Sequence, residues 1–269
     1  MTHAELHEEF YAAAAGALAR DARATISWRD AEPPMVGLAA VAQAQGYRAA
    51  PTYVIGDLTI AAGATRRGTA IEVSLFAQQS GAVMFALDGQ WFSTVVQTSE
   101  PGGALDPHLC STRVDSFEAS GEPVELAQAR LGAAFDLLGS CDALIEMAVN
   151  YARDRHQFGR PIGDFQAVQH LLAEAHVQRE GLRALCCEGL SNEALAPIAK
   201  AYGGTAARRV AQATLQVLGA IGFTSEHAHQ RYFRRVMVLD AAFGSSRELY
   251  RSLGRGAMNA PIDRAISPR

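Results

Sequence analysis

Arg155 stands where a helical hydrophobic pattern gives way to Gly159 and Pro161, within Tyr151-Ala-Arg-Asp-Arg155-His-Gln157-Phe158-Gly159-Arg-Pro161-Ile-Gly-Asp-Phe165-Gln166-Ala-Val-Gln169-His170. A guanidinium fixed at a helix end can fork onto phosphate oxygens, and Phe158, three residues on, sets an apolar neighbour beside it. That pair suits a dinucleotide pyrophosphate. A second block, Gln216-Val-Leu-Gly219-Ala220-Ile-Gly222-Phe-Thr-Ser-Glu226-His, puts an amide and glycines at the end of another helical segment. Taken singly, these residues have plainer roles: Arg155 in a surface ion pair with Asp154 or Asp164, Gln216 as a helix-surface amide, Gly219 and Gly222 as a helix stop. Phe158 and Phe165 alone would read as core. His227 and His229 have no Cys or carboxylate support, so no metal site is expected. Cys110, Cys141, Cys186 and Cys187 show no Cys-x-x-Cys spacing, and the vicinal pair cannot easily bridge, so reduced, largely buried thiols are expected.

Read together, the two blocks resemble the acyl-CoA dehydrogenase family. That family's helical bundle carries Tyr-Ala-x-x-Arg-x-Gln-Phe-Gly-x-Pro-Ile, then Phe-Gln-Ala-Val-Gln-His, and later Gln-x-x-Gly-Gly-x-Gly-Phe-Thr-x-Glu. Arg231-Tyr-Phe-Arg234-Arg235 follows at the usual place, and Gly103-Ala-Leu-Asp106-Pro-His with Ser111 to Phe117 resembles the end of the family's β domain. The resemblance covers residues 103 to 254 well and the first hundred poorly. It implies that Arg155 and Phe158 reach across a subunit interface to an FAD pyrophosphate, while Gln216, Gly219 and Ala220 approach the adenosine portion. The second family glycine is Ala220 here.

The family's reaction needs a carboxylate to take the α-proton of an acyl thioester while hydride leaves the β-carbon. That carboxylate usually follows the Arg-Arg segment and directly precedes Gly-Thr or Gly-Ser. In Leu239-Asp240-Ala-Ala-Phe243-Gly244-Ser245-Ser246 the matching residue is Phe243. Where some members carry the base on the first bundle helix, this chain has Ala129, between Gln128 and Arg130. No catalytic residue is expected, and Asp240 and Glu125 read as surface or structural. The β domain that holds the flavin ring in the family is reduced to about 70–119.

The resemblance therefore implies a shortened subunit of a heteromeric FAD-dependent acyl-CoA dehydrogenase. FAD would be shared with a full-length acyl-CoA dehydrogenase partner in a heterotetramer. The partner would hold the base, the flavin-ring pocket and most of the acyl-CoA site, and electrons would leave through an electron-transfer flavoprotein. The arrangement is similar to actinobacterial acyl-CoA dehydrogenases of steroid catabolism, which points to α,β-desaturation of a bulky, steroid-derived acyl-CoA. Two alternatives stand beside it: a homomeric flavoprotein using Asp240 or Glu248 as an unorthodox base, and a non-catalytic bundle scaffold.

The elements that must position these residues are mainly α-helical. Residues 4–20 and 35–45 read as amphipathic helices, with a further apolar segment from Val54 to Ala64. From Ala70 to about Ala119, short apolar runs are broken by Ser80-Gly81, Asp88-Gly89 and Pro101-Gly102-Gly103, the pattern of a small β module. After Glu122-Pro123 the helical period returns in four segments, 124–155, 163–189, 194–218 and 226–254, with Pro197 suited to the first turn of the third. Long helices joined by short loops predict an up-and-down four-helix bundle. The division expected is 1–69 helical, 70–122 a truncated β module and 123–269 the bundle.

The chain has 269 residues, 49% of them hydrophobic, enough for a sizeable core. A net charge of -4 and a pI near 6.1 give no broad basic field, so no nucleic-acid partner is expected. No apolar run reaches the roughly 18 residues of a membrane span. The acidic first twenty residues, with Glu5, Glu8 and Glu9, lack the look of a leader and suggest a cytoplasmic chain.

Overall fold

A computed structural model describes residues 2–21, 26–27, 29, 31–32, 34–50, 63–67, 70–76, 81–87, 90–97, 100–101, 109–120 and 126–259. The chain begins with α1 (His3–Arg20) and α2 (Pro34–Arg48). A capping box starts α1: Thr2 Oγ1 accepts from Glu5 N at 3.2 Å, and Glu5 Oε2 accepts from Thr2 N at 2.7 Å. Every residue of α2 from Met35 to Gly46 is buried, so it is an internal helix, packed between α1 and the bundle. Most of the apolar segment expected at 54–64 lies outside the described residues.

The strands are β1 (Gly63–Arg67), β2 (Ala70–Phe76), β3 (Gly81–Leu87), β4 (Gln90–Val96), β5 (Glu100–Pro101), β6 (Leu109–Val114) and β7 (Glu118–Ala119). They form two antiparallel sheets, in the orders β1-β2-β6-β5 and β3-β4-β7. The β3–β4 pairing brings Leu87 opposite Gln90, the register that a two-residue Asp-Gly connection demands. Ile71, Val73 and Leu75 of β2 share a core with Val83, Phe85 and Leu87 of β3, each alternating inward. The first strand begins at Gly63, ahead of the start expected at Ala70, because β1 pairs with β2 despite its polar sequence Gly-Ala-Thr-Arg-Arg.

The bundle comprises α3 (Ala127–Asp154), α4 (Gln166–Ser191), α5 (Ala196–Leu218), α6 (His229–Ala241) and α7 (Ser246–Asn259). The segment expected as one helix over 226–254 is divided. Phe243 and Gly244 take φ of 56° and 98°, left-handed values that end α6. Two cations hold the break, one half-buried and one fully buried: Arg130 Nε donates to Phe243 O at 3.1 Å, and Lys200 Nζ donates to Asp240 O and Gly244 O at 3.1 and 3.2 Å. Ser245 and Glu248 then form a capping pair, with Glu248 Oε2 accepting from Ser245 N and Oγ at 2.8 Å each.

Close approach of α2 to α3 depends on two glycines. A Cβ on Gly139 would lie 2.0 Å from Gln43 O, and one on Gly46 would lie 2.0 Å from Asp136 O. Beside this crossing, Arg235 of α6 is fully buried and forks onto Asp136 of α3 at 2.7 and 2.6 Å. Its remaining reach goes to Ala50 O at 2.6 Å, so one side chain ties α3, α6 and the end of α2.

Candidate functional site

The site is built at one end of the bundle, where α3 stops. Arg155 is the C-cap of α3, its N–H donating to Tyr151 O at 2.9 Å, and the chain then enters a small hairpin, β8 (His156–Gln157) and β9 (Arg160–Pro161). His156 pairs with Pro161 and Gln157 with Arg160, leaving Phe158 and Gly159 as the turn. Their φ values of 54° and 81° are those of the tight turn that matches strand twist. Glycine adopts this freely, whereas phenylalanine there costs about 1–2 kcal/mol. The cost brings no burial in return within this chain, since Phe158 is 92% exposed.

Around the turn the local structure is fixed. Ile162 N donates to Arg155 O at 2.8 Å, and Gln169 Nε2 donates to Gly163 O at 2.9 Å. The Arg160 guanidinium lies 4.2 Å from the centroid of Phe165, and Phe158 meets the same ring edge-on at 6.1 Å. Arg155 is exposed and has no ion-pair or hydrogen-bond partner for its guanidinium among the described residues. The pairing with Asp154 or Asp164 that a solitary surface arginine invites does not form.

The second block ends at the same place. Val217 of α5 joins Ala148, Ala152, Ile162, Val168 and Leu171 in a small apolar cluster beneath the hairpin. Gln216, its neighbour, is exposed and lines a groove between α4 and α5 with Leu171 and Arg209. The short helix Gly219–Phe223 follows, with Gly219 at φ 62° and ψ -141°, a conformation only glycine holds comfortably, and open space where a Cβ would be. Ala220 is exposed and not among the positive-φ residues, so its replacement of a glycine introduces no strain. Gly222 answers to packing instead, a Cβ there meeting Leu215 at 2.8 Å. The structure thus gathers Arg155, Phe158, Gln216, Gly219 and Ala220 at one end of the bundle.

The residues considered for proton transfer have other occupations. Phe243 is 5% exposed and Ala129 fully buried, both in the main core. Asp240 accepts from Ser246 N at 3.2 Å and from Ser246 Oγ, and it faces Arg208 at 3.4 Å. The hydrogen bonds of Ser245 hold the Glu248 carboxyl below its ordinary pKa, the wrong direction for a base. Glu125 lies outside the described residues. His229 is fully buried, its Nε2 within 3.1 Å of both Thr214 Oγ1 and Ala211 O, a packing role within the turn it closes. Lys200 was not anticipated from sequence, though a lone cation among alanines and glycines at helical spacing was the available signal.

Residues 124–258 match the model of the acyl-CoA dehydrogenase C-terminal domain, half of the chain, and the chain belongs to the acyl-CoA dehydrogenase family. It is 31% identical over 178 residues to the acyl-CoA dehydrogenase IpdE2 of Mycolicibacterium smegmatis, covering 64% of this chain and 57% of that protein. To the acyl-CoA dehydrogenase FadE34 of Mycobacterium tuberculosis it is 35% identical over 188 residues, 62% of this chain and 26% of that one. The matched region is thus less than two thirds of either relative. Among solved structures, the ChsE4-ChsE5 complex of Mycobacterium tuberculosis superposes with a TM-score of 0.69 at 18% identity, covering 96% of this chain and 98% of that chain. A variant of the Tcur3481-Tcur3483 steroid ACAD gives 0.73 at 18% identity, covering 96% and 100%. At that identity the likeness is one of fold, and it extends through the helices and the short β module alike.

Proposed function

We propose that this chain is the base-lacking subunit of a heteromeric, FAD-dependent acyl-CoA dehydrogenase, supplying a pyrophosphate and adenosine clamp to a site completed by a full-length partner. The observation that carries this reading is an exposed Arg155, without a partner among the described residues, beside a strained, 92% exposed Phe158, in a chain whose two base positions are buried apolar residues. A cation without a partner among the described residues and a ring held almost wholly exposed fit a group that arrives from another subunit. Arg155 would bind the pyrophosphate oxygens, Phe158 would shield them from water, and Gln216 with the Gly219–Ala220 backbone would orient the adenosine portion. When bound, the flavin accepts the hydride from the acyl β-carbon.

The α-proton would go to a carboxylate of the partner, since Phe243 and Ala129 cannot accept it. The steroid ACAD neighbour and the two-component ChsE4-ChsE5 complex favour a bulky, steroid-derived acyl-CoA as substrate class and a heteromeric assembly, while the heterotetramer and an electron-transfer flavoprotein as acceptor rest on the family resemblance. Visible absorbance with size analysis tests the core of this reading. The lone chain should be colourless, and co-expression with a full-length acyl-CoA dehydrogenase encoded beside it should give a yellow complex of both chains. A yellow, active homomer would overturn it.

A further inference from the structure

A ring as exposed as that of Phe158 is ordinarily free to change rotamer, and its left-handed backbone fixes only where the side chain starts. One neighbour limits it. Phe158 meets the Phe165 ring at an interplanar angle of 85° with centroids 6.1 Å apart, the edge-to-face arrangement that aromatic pairs favour. Phe165 is itself firmly placed. Its N–H donates to Ile162 O at 3.2 Å, and its carbonyl oxygen accepts from Val168 N and Gln169 N at 3.0 and 3.1 Å, so its backbone closes the loop and opens α4.

The Phe165 ring is half-buried, and Arg160 covers it. The guanidinium carbon lies over the ring, 4.2 Å from its centroid, well within the range of a cation–π contact. Arg160 is exposed, and pairing with Gln157 across the hairpin fixes its backbone. Among the described residues its guanidinium has no hydrogen bond or ion pair, so the ring is the contact that places it. Arg160 from β9 and Phe158 from the turn thus converge on one ring that is anchored at the start of α4.

We infer that Arg160 and Phe165 are positioning residues for the cofactor clamp, a brace that holds the Phe158 ring in one orientation before the dinucleotide arrives. This rests on the clamp reading of Arg155 and Phe158. Ordering one free side chain on binding weakens affinity by about two- to tenfold, and the brace removes that loss in advance.

FAD is the probe, titrated by flavin fluorescence into the flavin-stripped complex with a full-length acyl-CoA dehydrogenase. Its Kd should rise about two- to tenfold in Arg160→Ala and by the same factor in Phe165→Leu. The double variant should be no worse than either, because the brace is lost only once. Arg160→Lys, which returns a cation to the ring, should regain most of the affinity. On the full-length chain alone, para-fluorophenylalanine in place of Phe158 reports the ring directly. Fluorine NMR relaxation should show a restricted ring that becomes mobile in Arg160→Ala, with Tm unchanged. A ring equally mobile with and without Arg160 would overturn the proposal. So would an affinity loss in Arg160→Ala that Phe165→Leu does not share, since Arg160 would then touch the phosphates itself. Arg155→Ala separates the brace from the clamp. Affinity lost there but kept in Arg160→Ala overturns the brace alone, whereas affinity kept in both removes the clamp and the brace with it.

Discussion

Arg155→Ala removes a charge from the edge of the hairpin and almost no packing, because the side chain is exposed and makes no hydrogen bond among the described residues. The complex should still assemble but carry several-fold less flavin per mole, measured by absorbance after gel filtration; unchanged flavin content would remove the pyrophosphate role. His7 gives a separate handle. Its pKa falls from 6.5 in the unfolded chain to about 4 in the folded one, through burial. Between those values the unfolded chain binds the extra proton, so stability rises with pH across that window and is lost as pH falls from 6.5 to 4. The shift corresponds to roughly 3 kcal/mol, and urea titrations at stepped pH should show the loss, flattened in His7→Phe. The residues proposed for the clamp stand out in sequence because each motif is local, a few residues spanning one helix end. Lys200 and the Arg235–Asp136 pair were not, since the partners lie 40 and 99 residues apart and only the fold brings them together.

At the scale of elements, the α2–α3 crossing is the most demanding junction. Gly139→Ala gains about 1 kcal/mol of helix propensity. The added Cβ, however, would sit 2.0 Å from the backbone oxygen of Gln43, which cannot swing aside as a side chain would. The helices must separate, and a net loss of about 2 kcal/mol is expected from the urea midpoint. An unchanged midpoint would mean that the crossing yields freely. Helical periodicity revealed α1, α2 and the bundle helices, but not that α2 is buried on every side, because an alanine-rich sequence reads as amphipathic or internal alike. The α6–α7 break escaped notice for a related reason: Phe243-Gly244 continues an apolar pattern, and the two cations that stabilise the turn come from α3 and α5. The polar strand β1 offered no alternation to detect.

For the molecule as a whole, the chain pairs a well-packed helical core with a small sandwich, joined in part where Trp91 leans on the main core. Among the described residues no helix is long and apolar enough to cross a membrane. The half-site reading gives a stoichiometric expectation. In the purified complex, flavin should titrate to the number of clamps presented by this chain, and mixing in an excess of Arg155→Ala chain should dilute bound flavin in proportion. Flavin content indifferent to the mixture would place the whole cofactor site on the partner. Sequence shows a phenylalanine and an alanine at the two motif positions where the family carries its base, since a substitution at a motif position is as local as a match. It could not show that Phe243 and Ala129 are sealed into the core.

The carbonyls that end α2 are satisfied from far along the chain: Arg231 donates to Arg48 O and Ala49 O at 3.3 and 3.4 Å, and Arg235 to Ala50 O, 185 residues away. During synthesis at roughly 5–20 residues per second, α2 leaves the ribosome about 10–40 s before those arginines exist. Throughout that interval a helix destined for burial on all sides has α1, and then α3, to pack against but lacks the cap from α6, and its open end is a target for a holding chaperone. Nascent chains stalled before α6 should therefore be cut readily by protease within α2 and bind such a chaperone, and chains extended past α7 should resist both. Equal resistance at the two lengths would show that α2 finds its place without the last part of the chain.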